Sequence, residues 1–186
     1  MSPAFRKFHR AVAPWVILPL AVTALTGMGY RLGKAWFGWD KTLGGLAMDL
    51  HTGEWLGRIG SAVYLGLTGI ALLLLIGTGA TLLLSGRSKN LMRLSHRFLA
   101  LVLMLPLTAS AVTGLAYKFG EEFFHLPDEA GEFLMTIHEG AWLGKQLKPF
   151  YVLFLGLGLL ALLGTGFRLT GLFRRKSPPT APRSAP

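Results

Sequence analysis

The sequence contains no cysteine, and this absence removes several classes of site at once. Disulfides, thiolate-bound iron–sulfur clusters, zinc–thiolate sites and covalent c-type haem attachment all need cysteine sulfur. Charged residues are also few, at 15%, whereas 52% of the residues are hydrophobic and the mean hydropathy is +0.48. This composition argues against an ordinary soluble domain and favours an integral membrane protein.

Acidic residues are the scarcer charge, with nine against nineteen lysines and arginines. All nine lie in two segments, one after the first apolar run and one after the third. The N-terminus, the segment between the second and third runs, and residues 174–176 carry bases only. Because cytoplasmic segments are enriched in Lys and Arg, both termini are predicted to be cytoplasmic. Topology therefore explains the net charge of +10, and no nucleic-acid partner is predicted. The first run lacks a convincing cleavage site and is interpreted as a span, not a signal peptide.

The sequence repeats itself at an offset of 87 residues. Arg6-Lys7-Phe8-His9-Arg10 returns as Arg93-Leu94-Ser95-His96-Arg97, and both copies open a long apolar run. The same offset relates Pro19 to Pro106, Thr26-Gly27 to Thr113-Gly114, Tyr30-Arg31 to Tyr117-Lys118, His51 to His138, and Gly77-Thr78-Gly79 to Gly164-Thr165-Gly166. A repeat of this regularity predicts two units of the same architecture.

The predicted fold is an all-α integral membrane bundle of four transmembrane helices. Its spans are predicted at 11–31, 62–84, 98–117 and 150–172, with the second helix starting near Thr52. Residues 32–50 are predicted to form an aromatic outer loop, and a short helix is expected around 129–135. One domain covers 1–176, with one repeat at about 6–84 and the other at about 93–171, related by a pseudo-twofold axis. The proline-rich tail 177–186 is predicted to be disordered and cytoplasmic.

Four of the five histidines follow the repeat, and His125 alone does not. A twofold axis would place His9 opposite His96 at the inner side, and His51 opposite His138 at the outer side. Two facing imidazoles are what the iron of a b-type haem needs as axial ligands, so two haems b are predicted. A straight helix would put His51 roughly 16 Å beyond Ala62, which places the outer site near the membrane interface.

Small and basic residues accompany each histidine pair. A flat haem needs glycines on the helices beside it and bases for its anionic propionates. Gly27, Gly114, Arg31 and Lys118 are predicted at the outer site, and Gly79, Gly166, Arg10 and Arg97 at the inner site. Alternative interpretations stay open: glycines for close helix packing, bases for topology, and helix-end histidines as interfacial residues. The pairs Val12/Leu99, Val16/Leu103 and Leu72/Leu159, which match only in type, are interpreted as facing lipid.

Two motifs, each present twice, resemble a known family. The first is His9-Arg10 with Leu25-Thr26-Gly27, repeated as His96-Arg97 with Val112-Thr113-Gly114. The second is His51-Thr52-Gly53 with Gly77-Thr78-Gly79, repeated as His138-Glu139-Gly140 with Gly164-Thr165-Gly166. Over residues 5–175 this pattern resembles the PepSY-associated transmembrane family, the membrane part of iron-regulated and siderophore-iron reductases in bacteria. The resemblance implies that the four matched histidines bind b haems. Glu139 departs from the pattern, and no extramembrane PepSY, flavin or nicotinamide domain is recognised.

Three functions follow as hypotheses. The first is a di-haem b cytochrome that carries single electrons across a bacterial membrane, from a cytoplasmic donor or quinol to an acceptor such as ferric iron, with ferric-reductase-like activity left open. The second is a haem- or pigment-binding subunit of a larger respiratory or photosynthetic complex, in an inner or thylakoid membrane. The third, a transporter with a proton or metal path, is weaker because the spans hold almost no carboxylates.

Overall fold

The computed structural model describes residues 3–83 and 90–170, and the regular structure in these ranges is helical. The six α-helices are α1 (Pro3–Trp36), α2 (Lys41–Thr52), α3 (Gly57–Leu83), α4 (Leu91–Phe123), α5 (Asp128–His138) and α6 (Lys148–Thr170). One turn of 3₁₀ helix precedes α3 at Glu54–Leu56, and another precedes α6 at Ala141–Leu143. The predicted tail 177–186 lies outside the described residues.

Four of these helices are long and apolar enough to cross a membrane. The spanning segments are Ala4–Trp36, Glu54–Leu83, Leu91–Phe123 and Lys148–Thr170. The predicted all-α fold with four spans is therefore confirmed, and the chain is a multi-pass membrane protein. Both halves run in the same order: a long helix, a short helix, a 3₁₀ turn and a long helix. The twofold axis relating the halves stays a prediction.

The four spanning helices form two diagonal pairs, α1 with α4 and α3 with α6. Helix α1 packs against α3 and α6, and α4 packs against the same two helices. Within the described ranges α1 does not contact α4, and α3 does not contact α6. The short helix α2 packs along α1, and α5 packs along α4. Space along the bundle axis is thus bounded by all four spans, and the short helices reach it from the end opposite the N-terminus.

The segment predicted as an aromatic outer loop is mostly helical. Helix α1 continues to Trp36, and α2 begins at Lys41 after its N-cap Asp40, whose carboxylate accepts a hydrogen bond from the Leu43 amide at 2.8 Å. That cap satisfies one free amide at the helix start. In the second half, the helix expected around 129–135 is α5, and its bounds are wider.

The predicted start of the second spanning helix near Thr52 is wrong. The chain breaks at Gly53, where φ is 75°, and α3 begins at Gly57, where φ is 74°. Gly53 is left-handed, and Gly57, with ψ 174°, has an extended positive-φ conformation; both favour glycine, and neither continues a right-handed helix. Helix α2 is thus a separate element folded back along α1. The 16 Å displacement predicted for His51 is wrong for the same reason, and His51 lies beside Thr23 and Gly27 of α1.

Four leucines lie between two cavities, and each of them lines both. We call the cavity at His9 and His96 the inner cavity and the one at His51 and His138 the outer cavity, after the predicted topology. Each spanning helix contributes one of these leucines: Leu20, Leu72, Leu107 and Leu159. The interpretation of Leu72, Leu159 and Leu103 as lipid-facing is wrong, since Leu103 and Leu159 are buried in the core and Leu72 packs against it. We call the four leucines that line both cavities (Leu20, Leu72, Leu107 and Leu159) the leucine layer.

Candidate functional site

The outer histidines face each other across the outer cavity. His51 lies near the end of α2, and His138 is the last residue of α5. Their ring centroids are 6.4 Å apart, and the ring planes cross at 67°. With ring bonds of about 1.33 Å and a metal–imidazole bond of about 2 Å, two imidazoles on opposite sides of one metal have centroids roughly 6.3 Å apart. The observed spacing suits a shared metal ion.

Backbone carbonyls fix the protonation of both outer rings. The Nδ1 atom of His51 lies 2.8 Å from the carbonyl oxygen of Thr23, and Nδ1 of His138 lies 2.8 Å from that of Ser110. A carbonyl oxygen only accepts hydrogen bonds, so each Nδ1 donates and carries the ring hydrogen. The unprotonated Nε2 atom of each ring is left as a metal ligand.

Burial keeps the outer histidines neutral. It lowers the pKa of His51 from 6.5 to about 4, with a further lowering by nearby His138, while the hydrogen bond to Thr23 acts in the opposite direction. Burial also lowers the pKa of His138. Both residues belong to the short helices, outside the four spans. Near neutral pH both imidazoles are therefore uncharged, which is the form that binds a metal ion.

Glycines of the spanning helices lie directly against the outer rings. A Cβ atom at Gly27 would lie 2.7 Å from Cε1 of His51, and one at Gly114 would lie 2.8 Å from Cε1 of His138. Contacts this short are not tolerated, so no side chain fits at either position while the rings stay in place. The two predicted glycines are thus where the short helices dock onto α1 and α4.

The inner histidines come from the diagonal helices themselves. His9 of α1 and His96 of α4 line one cavity. The Nδ1 atom of His9 lies 2.8 Å from Oγ1 of Thr78, and Nδ1 of His96 lies 2.8 Å from Oγ1 of Thr165. The glycine that follows each threonine also lies against the imidazole. A Cβ at Gly79 would lie 3.6 Å from Cε1 of His9, and one at Gly166 would lie 3.4 Å from Cε1 of His96.

The two cavities differ in size. The outer cavity has a volume of about 440 Å³ and the inner one about 90 Å³. Ligand sites commonly enclose roughly 300–1,000 Å³, so the outer cavity is the one already large enough for a cofactor. The outer pair therefore has the stronger geometric support.

The outer bases line the outer cavity and pair with carboxylates of the opposite half. Arg31 pairs with Glu139, which also pairs with Lys148. Lys118 lies 2.6 Å from a carboxylate oxygen of Glu54 and pairs with a further carboxylate on its own helix. The equivalent positions 31 and 118 are both basic, but Glu139 and Glu54 are not equivalent under the offset. The two ion pairs between the halves therefore use carboxylates from different positions of the repeat.

One donor at the outer cavity has no partner within the described residues. The Nε atom of Arg31 is buried and makes no hydrogen bond there, although the same guanidinium pairs with Glu139. A buried, unsatisfied donor costs about 1–3 kcal/mol. The Nε atom has almost no accessible surface, so a group in the cavity does not reach it, although the Arg31 side chain lines the cavity together with Lys118.

The two bases predicted at the inner site, Arg10 and Arg97, lie outside the inner cavity. Arg10 donates to the carbonyl oxygen of Thr170 at 2.9 Å, and Arg97 donates to that of Leu83. These carbonyls belong to the last residues of α6 and α3, where helices leave acceptors unsatisfied. Neither arginine lines the inner cavity. Their observed contacts are with helix ends.

The set of donors fits haem better than a bare metal ion. Within residues 3–83 and 90–170, no three histidines or acidic residues come together as a metal site. A pair of imidazoles leaves a bare ion with too few ligands, whereas haem brings four nitrogens of its own and needs two more. The residues present at the outer site therefore fit haem b.

Sequence reasoning missed the groups that hold the histidine rings. These are the hydroxyls of Thr78 and Thr165 and the carbonyls of Thr23 and Ser110. The two threonines stand inside the repeated Gly-Thr-Gly motif, which was the available signal. The carbonyls leave no trace in a sequence.

No family model, curated protein or solved structure matches this chain.

Proposed function

We propose that this chain is a b-type di-haem cytochrome that carries single electrons across a bacterial membrane. The observation that carries the proposal is the outer pair, His51 and His138, with facing rings 6.4 Å apart in a cavity of about 440 Å³. Both rings donate from Nδ1 to backbone carbonyls, so both Nε2 atoms are free to bind iron. Haem, when bound, supplies the one-electron chemistry that no side chain of this protein provides.

The protein's own residues hold and shield the cofactor in this proposal. His51 and His138 would hold the outer haem, and His9 and His96 the inner one. Arg31 and Lys118, which both line the outer cavity, would hold the propionates there. The leucine layer separates the two sites and excludes water between them. An apolar, dry surrounding is one of the means by which a protein sets a haem potential.

Direction and partners belong to the same proposal. The inner site faces the basic, cytoplasmic side, where a quinol or a reductase is the proposed donor. The outer site lies toward the acidic side, where ferric iron is the proposed acceptor. The four repeat-matched histidines and their Thr-Gly neighbours support membership of the PepSY-associated transmembrane family.

The test is a reduced-minus-oxidised visible spectrum of the purified protein with a pyridine haemochrome count per chain. Two b haems per chain are expected. The double variant His51→Leu/His138→Leu should lose one haem, and His9→Leu/His96→Leu should lose the other.

His125→Asn is the matched control, because His125 is exposed, lies in a loop and has a positive φ of 50° that asparagine tolerates. It should keep both haems. A folded wild-type protein without haem, or histidine variants that keep the full haem content, would refute the cytochrome proposal. Co-purification with a stoichiometric partner and a chlorophyll-like spectrum would point to a pigment-binding subunit instead.

A further inference from the structure

At 2.8 Å, Nδ1 of each inner histidine contacts a hydroxyl oxygen, whereas Nδ1 of each outer histidine contacts a backbone carbonyl oxygen. A hydroxyl can donate or accept, so the distances to His9 and His96 alone do not say which atom carries the hydrogen. The rest of each threonine's surroundings settles this point.

Each threonine hydroxyl has a single hydrogen, and a backbone carbonyl already takes it. Oγ1 of Thr78 lies 2.7 Å from the carbonyl oxygen of Leu74, and Oγ1 of Thr165 lies 2.8 Å from that of Ala161. A carbonyl cannot donate, so the hydroxyl hydrogen must lie on these contacts. The 2.8 Å contacts to the imidazoles then need a hydrogen from the ring, and Nδ1 must carry it.

We infer that Thr78 and Thr165 are positioning residues of the inner haem site, which lock His9 and His96 in the Nδ1-protonated form with Nε2 as the ligand. This inference rests on the proposed function for its link to haem. Donation from Nδ1 raises the basicity of the ligating nitrogen and fixes the ring plane, and loss of such partners typically weakens metal binding about 10- to 100-fold. The threonines thereby favour ferric iron and lower the midpoint potential of the inner site.

The same Thr-Gly motif provides its own control. Thr26 and Thr113 precede the outer glycines, but their hydroxyls donate to backbone carbonyls at 2.7 Å and make no hydrogen bond to a histidine. The substitution Thr→Val therefore removes an imidazole partner at the inner motif and only a backbone contact at the outer motif. Valine has nearly the shape of threonine, and Thr→Ser keeps the hydroxyl.

The experiment compares Thr78→Val/Thr165→Val with Thr78→Ser/Thr165→Ser and with Thr26→Val/Thr113→Val, in full-length protein purified in detergent. If the protein holds haem, the inner Val variant should raise the midpoint potential of one haem and weaken its retention about 10- to 100-fold. The Ser variant and the outer Val variant should keep that potential. An unchanged inner potential in Thr78→Val/Thr165→Val would overturn the inference and leave the cytochrome proposal standing.

If the folded protein holds no haem, the proposed function fails, and the hydrogen bond is tested by itself. Imidazole ¹⁵N shifts of labelled protein distinguish protonated from unprotonated ring nitrogens. His9 and His96 should be protonated at Nδ1 in the wild type and lose that preference in Thr78→Val/Thr165→Val. Protonation at Nε2 in the wild type would overturn the inference.

Discussion

Single glycines decide whether the outer rings can occupy their places. The motifs Thr26-Gly27 and Thr113-Gly114 put a residue without a side chain where α2 and α5 bring an imidazole against a spanning helix. Gly77 and Gly164 are also helical glycines of the repeated motif, but a Cβ at either would meet nothing within 4 Å. Both kinds of glycine recur in the repeat, but only Gly27 and Gly114 make room for an imidazole.

Gly27→Ala and Gly114→Ala are expected to displace the outer rings. The added methyl would lie under 3 Å from each imidazole, and overpacking of this kind typically costs about 1–3 kcal/mol. The outer haem content should fall while the inner one stays. Gly77→Ala is the control, and it should keep both haems with equal or slightly higher stability, because alanine favours a helix. Haem counts and thermal unfolding in detergent check this, and equal loss in Gly77→Ala would contradict the steric argument.

In protein prepared without haem, acid is expected to destabilise the fold through the outer histidines. The pKa of His51 is about 4 in the folded protein and 6.5 without burial, so the unfolded chain takes up a proton first as the pH falls. Stability is therefore full above pH 6.5 and falls between pH 6.5 and about 4. From pH 7.5 to 5 the loss should be about 2 kcal/mol for His51, and His138 acts in the same direction.

Unfolding temperatures measured across this pH range test the effect. His51→Gln/His138→Gln should flatten the pH dependence, because glutamine does not titrate. An equally steep dependence in the glutamine variant would contradict the assignment.

At the scale of elements, the short helices are the part that sequence reasoning placed least well. The spans, their number and the pairing of His51 with His138 could be predicted from hydropathy and the repeat. The depth of His51 could not be predicted, because it depends on the chain reversal at Gly53. A glycine two residues after a histidine is equally compatible with the start of a longer helix. The hydrogen-bond acceptors of the outer rings could not be predicted either, since they are backbone atoms.

The chain reversal predicts different effects for substitutions at its two glycines, Gly53 and Gly57. Gly53 and Gly57 both have positive φ, but a Cβ at Gly53 would lie 2.7 Å from Tyr64, whereas Gly57 has open space. Gly57→Ala should cost about 1–3 kcal/mol from backbone strain alone, because φ 74° with ψ 174° is a conformation essentially restricted to glycine. Gly53→Ala combines a left-handed strain of about 1–2 kcal/mol with the clash against Tyr64, and it should also move His51. Thermal unfolding and haem content measure both, and a Gly57→Ala variant that loses as much haem as Gly53→Ala would exclude a role for the Tyr64 contact.

At the scale of the whole molecule, the two sites are separate because the leucine layer fills the bundle between them. Helix α4 shows both environments within three residues: Leu107, which lines both cavities, is 5% exposed, and Leu105 is 75% exposed. In a bilayer the exposed leucine meets lipid, which solvates it as well as protein does. Stability therefore comes from packing at the layer and not from apolar character as such.

Leu107→Ala is expected to destabilise the bundle by about 1–3 kcal/mol, less than the 2–5 kcal/mol typical of water-soluble cores, because lipid solvates the methyl groups of the unfolded state. The cavity it leaves would join the inner and outer cavities and admit water between them. Leu105→Ala removes the same atoms from the lipid face of the same helix and should change the unfolding temperature little. If both variants lose the same stability, the long helices are held by general apolarity and not by packing at the leucine layer.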